Sequence, residues 1–102
     1  MVERKIRLIF EKFGWRVVRA GGSLGEADLV CLKNKKCILV QVKSTRKKAL
    51  YFYGDLKKTI DGFPFYLIVD FGYGNVRITK PLRKISPTTG TLLQDFLKKN
   101  KI

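Results

Sequence analysis

A chain of 102 residues has room for one modest hydrophobic core and not for two, so residues 1–102 read as a single domain. An apolar fraction of 45% excludes a disordered chain, and no run approaches the about eighteen apolar residues of a membrane span. Twenty-two Lys and Arg against eight Asp and Glu leave a formal charge of +14, which a folded domain tolerates best beside a polyanion.

Nucleic acid is therefore the expected partner. An anionic membrane surface fits less well, because the basic residues are spread along the chain rather than gathered on one amphipathic helix. No signal peptide is visible, and a cytoplasmic, nucleoid-associated location is expected. With no His in the chain, imidazole acid–base chemistry and imidazole metal ligation are excluded, and any metal must be a hard cation held by oxygen.

Residues 2–13 predict an amphipathic helix. Val2, Ile6, Ile9, Phe10 and Phe13 recur at core-facing spacing, and Gly14 follows as a terminator. At about 100° per residue, Glu3 lies roughly 75° from the middle of this stripe and Glu11 roughly 155° away. Glu3 thus leans over the sheet edge while Glu11 points to water. A first-turn acid that complements the helix dipole is the plain alternative for Glu3. Trp15 to Ala20 reads as a first strand with Arg16 and Arg19 as polar members. Gly21, Gly22, Ser23 and Gly25 form a loop that either connects strands or lets backbone approach a phosphate.

Two apolar runs follow, 27–33 and 36–43, joined by Asn34-Lys35 as a two-residue hairpin turn. Pairing Lys33 with Lys36 sets Asp28 opposite Gln41 and Glu26 opposite Lys43, with directly opposed Cβ atoms roughly 5 Å apart. Gln41 and Lys43, two apart, share a face. The rest of the hairpin is apolar on both faces, as in a covered central strand pair, where charge at the rim is costly unless paired or bound to metal. Cys31 and Cys37 fall on opposite faces in this register and are expected to be free thiols in a reducing compartment.

The basic run Ser44–Lys48 lies at the same sheet end and reads as a grip on a phosphate backbone. Residues 50–62 predict a second helix. Its aromatic cluster, Tyr51, Phe52 and Tyr53, serves base stacking, the core or a subunit interface, with core plus dimer contact favoured. Phe65 to Phe71 is an apolar strand, Gly72-Tyr73-Gly74-Asn75 a turn and Val76 to Thr79 a returning strand. Asp70 has no partner at strand spacing and reads as structural. Pro81 to Gly90 is loop, and Thr91 to Lys99 a terminal helix with Lys98 and Lys99 at its negative end.

Asp28, twelve residues, then Gln41-Val42-Lys43 resembles the D…(E/Q)xK signature of the PD-(D/E)xK nuclease superfamily. Val2-Glu3-Arg4-Lys5, the run from Gly14 to Ser23, Ala27 to Val30 and Val40 to Ser44 together resemble the archaeal Holliday junction resolvases in order and spacing. The likeness covers about the first seventy residues well and the remainder loosely. It implies an α/β fold with a restriction-endonuclease-like core, a mixed five-stranded sheet flanked by helices on both faces. It also implies a Mg²⁺-dependent endonuclease (Mn²⁺ substituting) that works as a homodimer on branched double-stranded DNA, in archaea or their viruses.

Residue by residue, the resemblance makes Asp28 a metal ligand, with Gln41 and the carbonyl of Val42 beside it and Glu3 holding a water or a second ion. Lys43 would orient the attacking water or stabilise the phosphate, and Ser23 would contact the scissile region. Arg4 and Arg19 stand where the family is basic and would bind flanking phosphates, joined by Arg46, Lys47 and Lys48. Relatives carry Glu where this chain has Gln41, so the site loses a charge, which Glu26 would partly restore. The alternative is a basic DNA-binding module, or an inactive subunit of nuclease fold, that does not cut.

Overall fold

The computed structural model describes residues 2–22 and 25–99. Helix α1 (Val2–Lys12) buries Ile6 and Phe10, with Val2, Ile9 and Phe13 packed around them. Its end is built by the residues expected to end it. Trp15 N donates to Phe10 O at 3.1 Å and Gly14 N to Glu11 O at 3.0 Å, with Gly14 at φ +88°. That is a Schellman cap, and the hydrophobic contact that accompanies such caps is the Phe10–Trp15 edge-to-face pair at 5.7 Å.

Strands β1 (Arg16–Arg19), β2 (Leu29–Lys33) and β3 (Lys36–Ser44) form an antiparallel meander in the predicted register, with Lys33 opposite Lys36. Asn34 and Lys35 both adopt positive φ, +47° and +69°, the pair of left-handed residues that a two-residue turn needs to match strand twist. Strand β6 (Phe63–Asp70) then lies parallel to β3, with Lys43 opposite Val69 and Ser44 opposite Asp70. β7 (Val76–Thr79) returns antiparallel and β9 (Thr91–Leu92) closes the edge. The order across the sheet is β1-β2-β3-β6-β7-β9, so the five predicted strands are present and two-residue strands extend the sheet. The sheet is mixed, as expected.

The helices are arranged differently from expectation. α1 and α2 (Leu93–Lys99) both pack on one face, where Ile6, Phe10, Leu93 and Leu97 meet Leu29, Val40, Val42 and Ile68. The other face, with Leu39, Phe65, Leu67 and Val69, is covered by strand and loop rather than helix. Residues 50–62 supply that cover as β4 (Leu50–Tyr51), an irregular stretch and β5 (Thr59–Ile60), instead of the predicted second helix. β4 pairs with β8 (Lys84–Ile85), inside the segment read as loop, and β5 pairs with β6.

The causes are local and tertiary together. Leu50 and Phe52 point inward while Tyr51 and Tyr53 are exposed, a period of two that belongs to a strand. Asp61-Gly62, at φ +51° and +84°, is a tight turn between β5 and β6, where Gly62 had been expected to end a helix. Arg83 Nη1 donates to Phe52 O at 2.9 Å and to Gly54 O at 3.1 Å, satisfying carbonyls that a helix would have satisfied internally. Thr91 and Leu92 likewise join the sheet before α2 begins.

Candidate active site at one end of the sheet

The site grows out of an irregularity between β2 and β3. Asp28 N donates to Val40 O at 2.8 Å, although Val40 is already the register partner of Leu29. Two residues thus oppose one, which is a β-bulge, and bulges re-aim side chains. Asp28 is re-aimed onto the strand edge: its Oδ2 accepts the N–H of Val42 at 2.8 Å. In an extended strand the N–H and C=O of one residue point the same way, so the Val42 carbonyl opens on the Asp28 side as well.

Asp28 is therefore not squarely opposite Gln41, as the uninterrupted register had it, but bonded to both of its neighbours. Gln41 sits opposite Leu67 with its Oε1 buried and without a hydrogen-bond partner among the described residues. Lys43, two residues on, shares its face and is exposed. The bulge also displaces Glu26 from Lys43. Its Oε1 accepts the N–H of Asp55 at 3.2 Å, and its carboxylate fills the space beside Gly54 that a Cβ there would need. Glu26 braces the 52–55 loop instead of completing the site.

Glu3 stands in the first turn of α1 and pairs with Arg19, Nε to Oε1 at 3.7 Å. Arg4, Arg7 and Leu29 line the same shallow pocket of about 180 Å³, so Glu3, Arg4 and Arg19 are brought together over the residue next to Asp28. No hydrogen bond among the described residues joins this group to Asp28, Gln41 or Lys43. Arg46, Lys47 and Lys48 follow β3 and line a separate cleft of about 590 Å³ with the β6–β7 turn. Ser23 lies outside the described residues.

Asp70 is the buried carboxylate that sequence spacing left without a partner. Its Oδ2 accepts Lys5 Nζ at 2.9 Å and its Oδ1 the N–H of Gly72 at 2.8 Å. Burial acts to raise its pKa, but these hydrogen bonds and the charges of Lys5 and Arg46 outweigh it and hold the carboxyl below its ordinary value. The partner is 65 residues away in sequence, so no local spacing could have shown it. The cysteines behave as expected: both are free, Cys31 in the helix-side core and Cys37 against the other face. Burial, with a smaller contribution from Cys37, pushes the Cys31 thiol up to about 12.

No cluster of three carboxylate or thiol side chains placed to hold a metal occurs among the described residues. What the site offers is one carboxylate, one buried amide oxygen without a partner and one strand carbonyl. All are oxygens, as a hard divalent cation requires, and the orphaned Gln41 Oε1 is an acceptor such a cation would satisfy. The residues fit a weakly charged oxygen site.

Across 95% of this chain and 93% of its own, the 1.6 Å structure of Archaeoglobus fulgidus Hjc, a Holliday junction resolvase from an archaeal hyperthermophile, superposes with a TM-score of 0.73 at 16% identity. That likeness establishes the fold. The family model for the archaeal Holliday junction resolvase (Hjc) matches residues 1–63, which hold α1, the bulged hairpin and Lys43. The chain belongs to the archaeal Holliday junction resolvase family.

Proposed function

We propose that this chain is a Mg²⁺-dependent endonuclease, one domain over residues 1–102, that resolves four-way DNA junctions by hydrolysing phosphodiester bonds on opposed strands. The observation that carries the reading is the bulge that sets Asp28 against the N–H of Val42, the strand residue between Gln41, whose Oε1 is orphaned, and the exposed Lys43. Asp28, Gln41 and the Val42 carbonyl would hold the cation, Mn²⁺ substituting for Mg²⁺. Bound there, it would neutralise charge on the scissile phosphate and make water nucleophilic at neutral pH.

The chain's own groups do the rest. The Val42 N–H holds one Asp28 oxygen in place and leaves the other free. Lys43 places an ammonium beside the phosphate, where it stabilises the charge that builds during attack. Glu3, fixed by Arg19, orders water at the rim, and Arg4 and Arg19 take flanking phosphates. Ser23 contacts the scissile region. A homodimer supplies the second cut, since a two-fold protein sets two sites on opposed strands of a two-fold junction. Tyr51 and Tyr53, exposed and stacked at 6.5 Å, lie ready for that contact while Phe52 fills the core. Such an enzyme works on the nucleoid, in the cytoplasm.

A second reading has its own support. With one carboxylate at the bulge and Glu3 neutralised by Arg19, the chain would bind junctions without cutting them. A labelled four-way junction and a linear duplex of the same sequence, each with Mg²⁺ or EDTA, separate the two. Paired symmetric nicks on the junction alone, abolished by EDTA and by Asp28→Asn, are expected. Asn keeps an oxygen for the Val42 N–H, so the hairpin persists while the charge goes. Tight junction binding with no nick at any Mg²⁺ concentration would assign the chain to the binding class.

A further inference from the structure

The β6–β7 turn carries a side chain that the fold does not use. Tyr73 sits between Gly72 and Gly74 at φ +53°, a left-handed conformation that a bulky residue adopts only under constraint, and its exposure is 102%. The constraint is visible. Phe71 N donates to Asn75 O at 2.9 Å, Asn75 N to Gly72 O at 3.0 Å, and Gly72 N to Asp70 Oδ1 at 2.8 Å. Asn75 Nδ2 also donates to Pro87 O at 3.0 Å, tying the turn to the next loop. A rigid, braced turn thus holds an aromatic ring wholly in solvent, where glycine or asparagine would close the turn with less strain.

Its surroundings are cationic. β3 and β6 are parallel, so the turn stands at the same sheet end as Lys43 and the basic run after it. Arg46 lies against the turn, where a Cβ on Gly72 would come within 2.9 Å of Nη1. Lys47 and Lys48 line the same open cleft. A free aromatic face beside three cations is the arrangement that binds unstacked nucleotides, the ring taking a base and the cations its phosphates. Linear duplex offers no free base face along its length, whereas the branch point of a junction does.

We propose that Tyr73 stacks on a nucleobase at the branch point while Arg46, Lys47 and Lys48 hold the phosphates of the same strand, which makes this turn an element that favours branched over linear DNA. The proposal rests on the junction reading above. Its test is binding in EDTA, without cleavage, to a four-way junction carrying 2-aminopurine at the branch and to matched duplex, for the native chain, Tyr73→Phe and Tyr73→Ser.

Tyr73→Ser is expected to weaken junction binding about tenfold while duplex binding stays within about twofold, because a lost base stack acts only where a base is free. The native chain and Tyr73→Phe are expected to alter 2-aminopurine fluorescence, and Tyr73→Ser to leave it unaltered. Circular dichroism checks that the exposed substitution leaves the fold intact. An unchanged junction preference in Tyr73→Ser overturns the assignment alone. Equal losses on both DNAs with a lower sedimentation coefficient overturn it in favour of an interface between copies. A native chain that binds both DNAs alike overturns the junction reading and this assignment with it.

Discussion

Replacing Gln41 by Leu should make the protein more stable and its site worse. Gln41 Oε1 is buried with no hydrogen-bond donor among the described residues, between strands whose other inward positions are apolar. A buried acceptor without a partner costs about 1–3 kcal/mol relative to a paired one. Leucine is one bond shorter and has no polar atom, so it recovers part of that cost, offset by the loss of whatever hydration the Gln41 amide nitrogen had. A net gain of about 1 kcal/mol is expected, which for a domain of this size raises Tm by about 4–8 °C. The assay is thermal unfolding in EDTA and again in Mg²⁺. A cation held at 100 times its Kd stabilises the native state by about 2.7 kcal/mol, and this increment should be present in the native protein and reduced in Gln41→Leu. If Gln41→Leu is less stable than native in EDTA, the amide has a partner and is not an orphan. If Mg²⁺ stabilises both proteins equally, Gln41 does not hold the cation.

The Lys5–Asp70 pair predicts an acid-sensitive fold. The folded carboxyl titrates below its unfolded value, so its contribution is fully present above the unfolded pKa and is lost as pH falls below about 4 through the folded one. Because Asp70 is buried but Lys5 is half exposed, Asp70→Asn should cost about 2 kcal/mol at pH 7, between exposed-pair and buried-pair values, and the gap to native should close in urea titrations near pH 3. Thiol labelling follows burial: with its pKa raised to about 12, Cys31 should react with a maleimide only at the rate of unfolding, and Cys37 faster. Equal rates for the two thiols under native conditions would contradict the difference in their burial.

The legible half of this molecule is the half whose contacts are local. The α1 stripe, its Gly14-Trp15 cap and the Asn34-Lys35 turn each follow from residues within a few positions of one another, and the hairpin register followed from the turn. Residues 50–62 depart from the expected helix because, although an aromatic run with lysines after it has helical length, the deciding features act across the chain. Arg83 and Glu26 satisfy its backbone from 29 residues away or more. One local clue outweighed that length: Asp61-Gly62 before Phe63 is a hairpin signal. The bulge at Asp28 was out of reach for a different reason. A two-against-one pairing leaves the alternation of Leu29, Cys31, Ile38 and Val40 intact, so counting back from the turn gave the right strands and a neighbouring position for the carboxylate.

Among the described residues Asp28 and Glu26 are the half-buried carboxylates without an ion pair, and of the two only Asp28 is bonded to β3. In a chain of +14, carboxylates near the sheet end find cations easily: Glu3 has Arg19 and Asp70 has Lys5. Asp28 is half-buried with the same surplus around it, yet among the described residues it has no ion pair and accepts from the Val42 N–H. A neutral donor fixes a carboxylate's direction without cancelling its charge, whereas Arg or Lys at that spot would fix it and cancel it. A fold selected for stability alone would gain from the ion pair. Leaving Asp28 oriented and uncompensated, with the Gln41 amide oxygen on the facing strand also unsatisfied, makes sense if a cation arrives from solution. It would also explain why so basic a protein keeps negative charge where the proposed phosphate ligand would come closest.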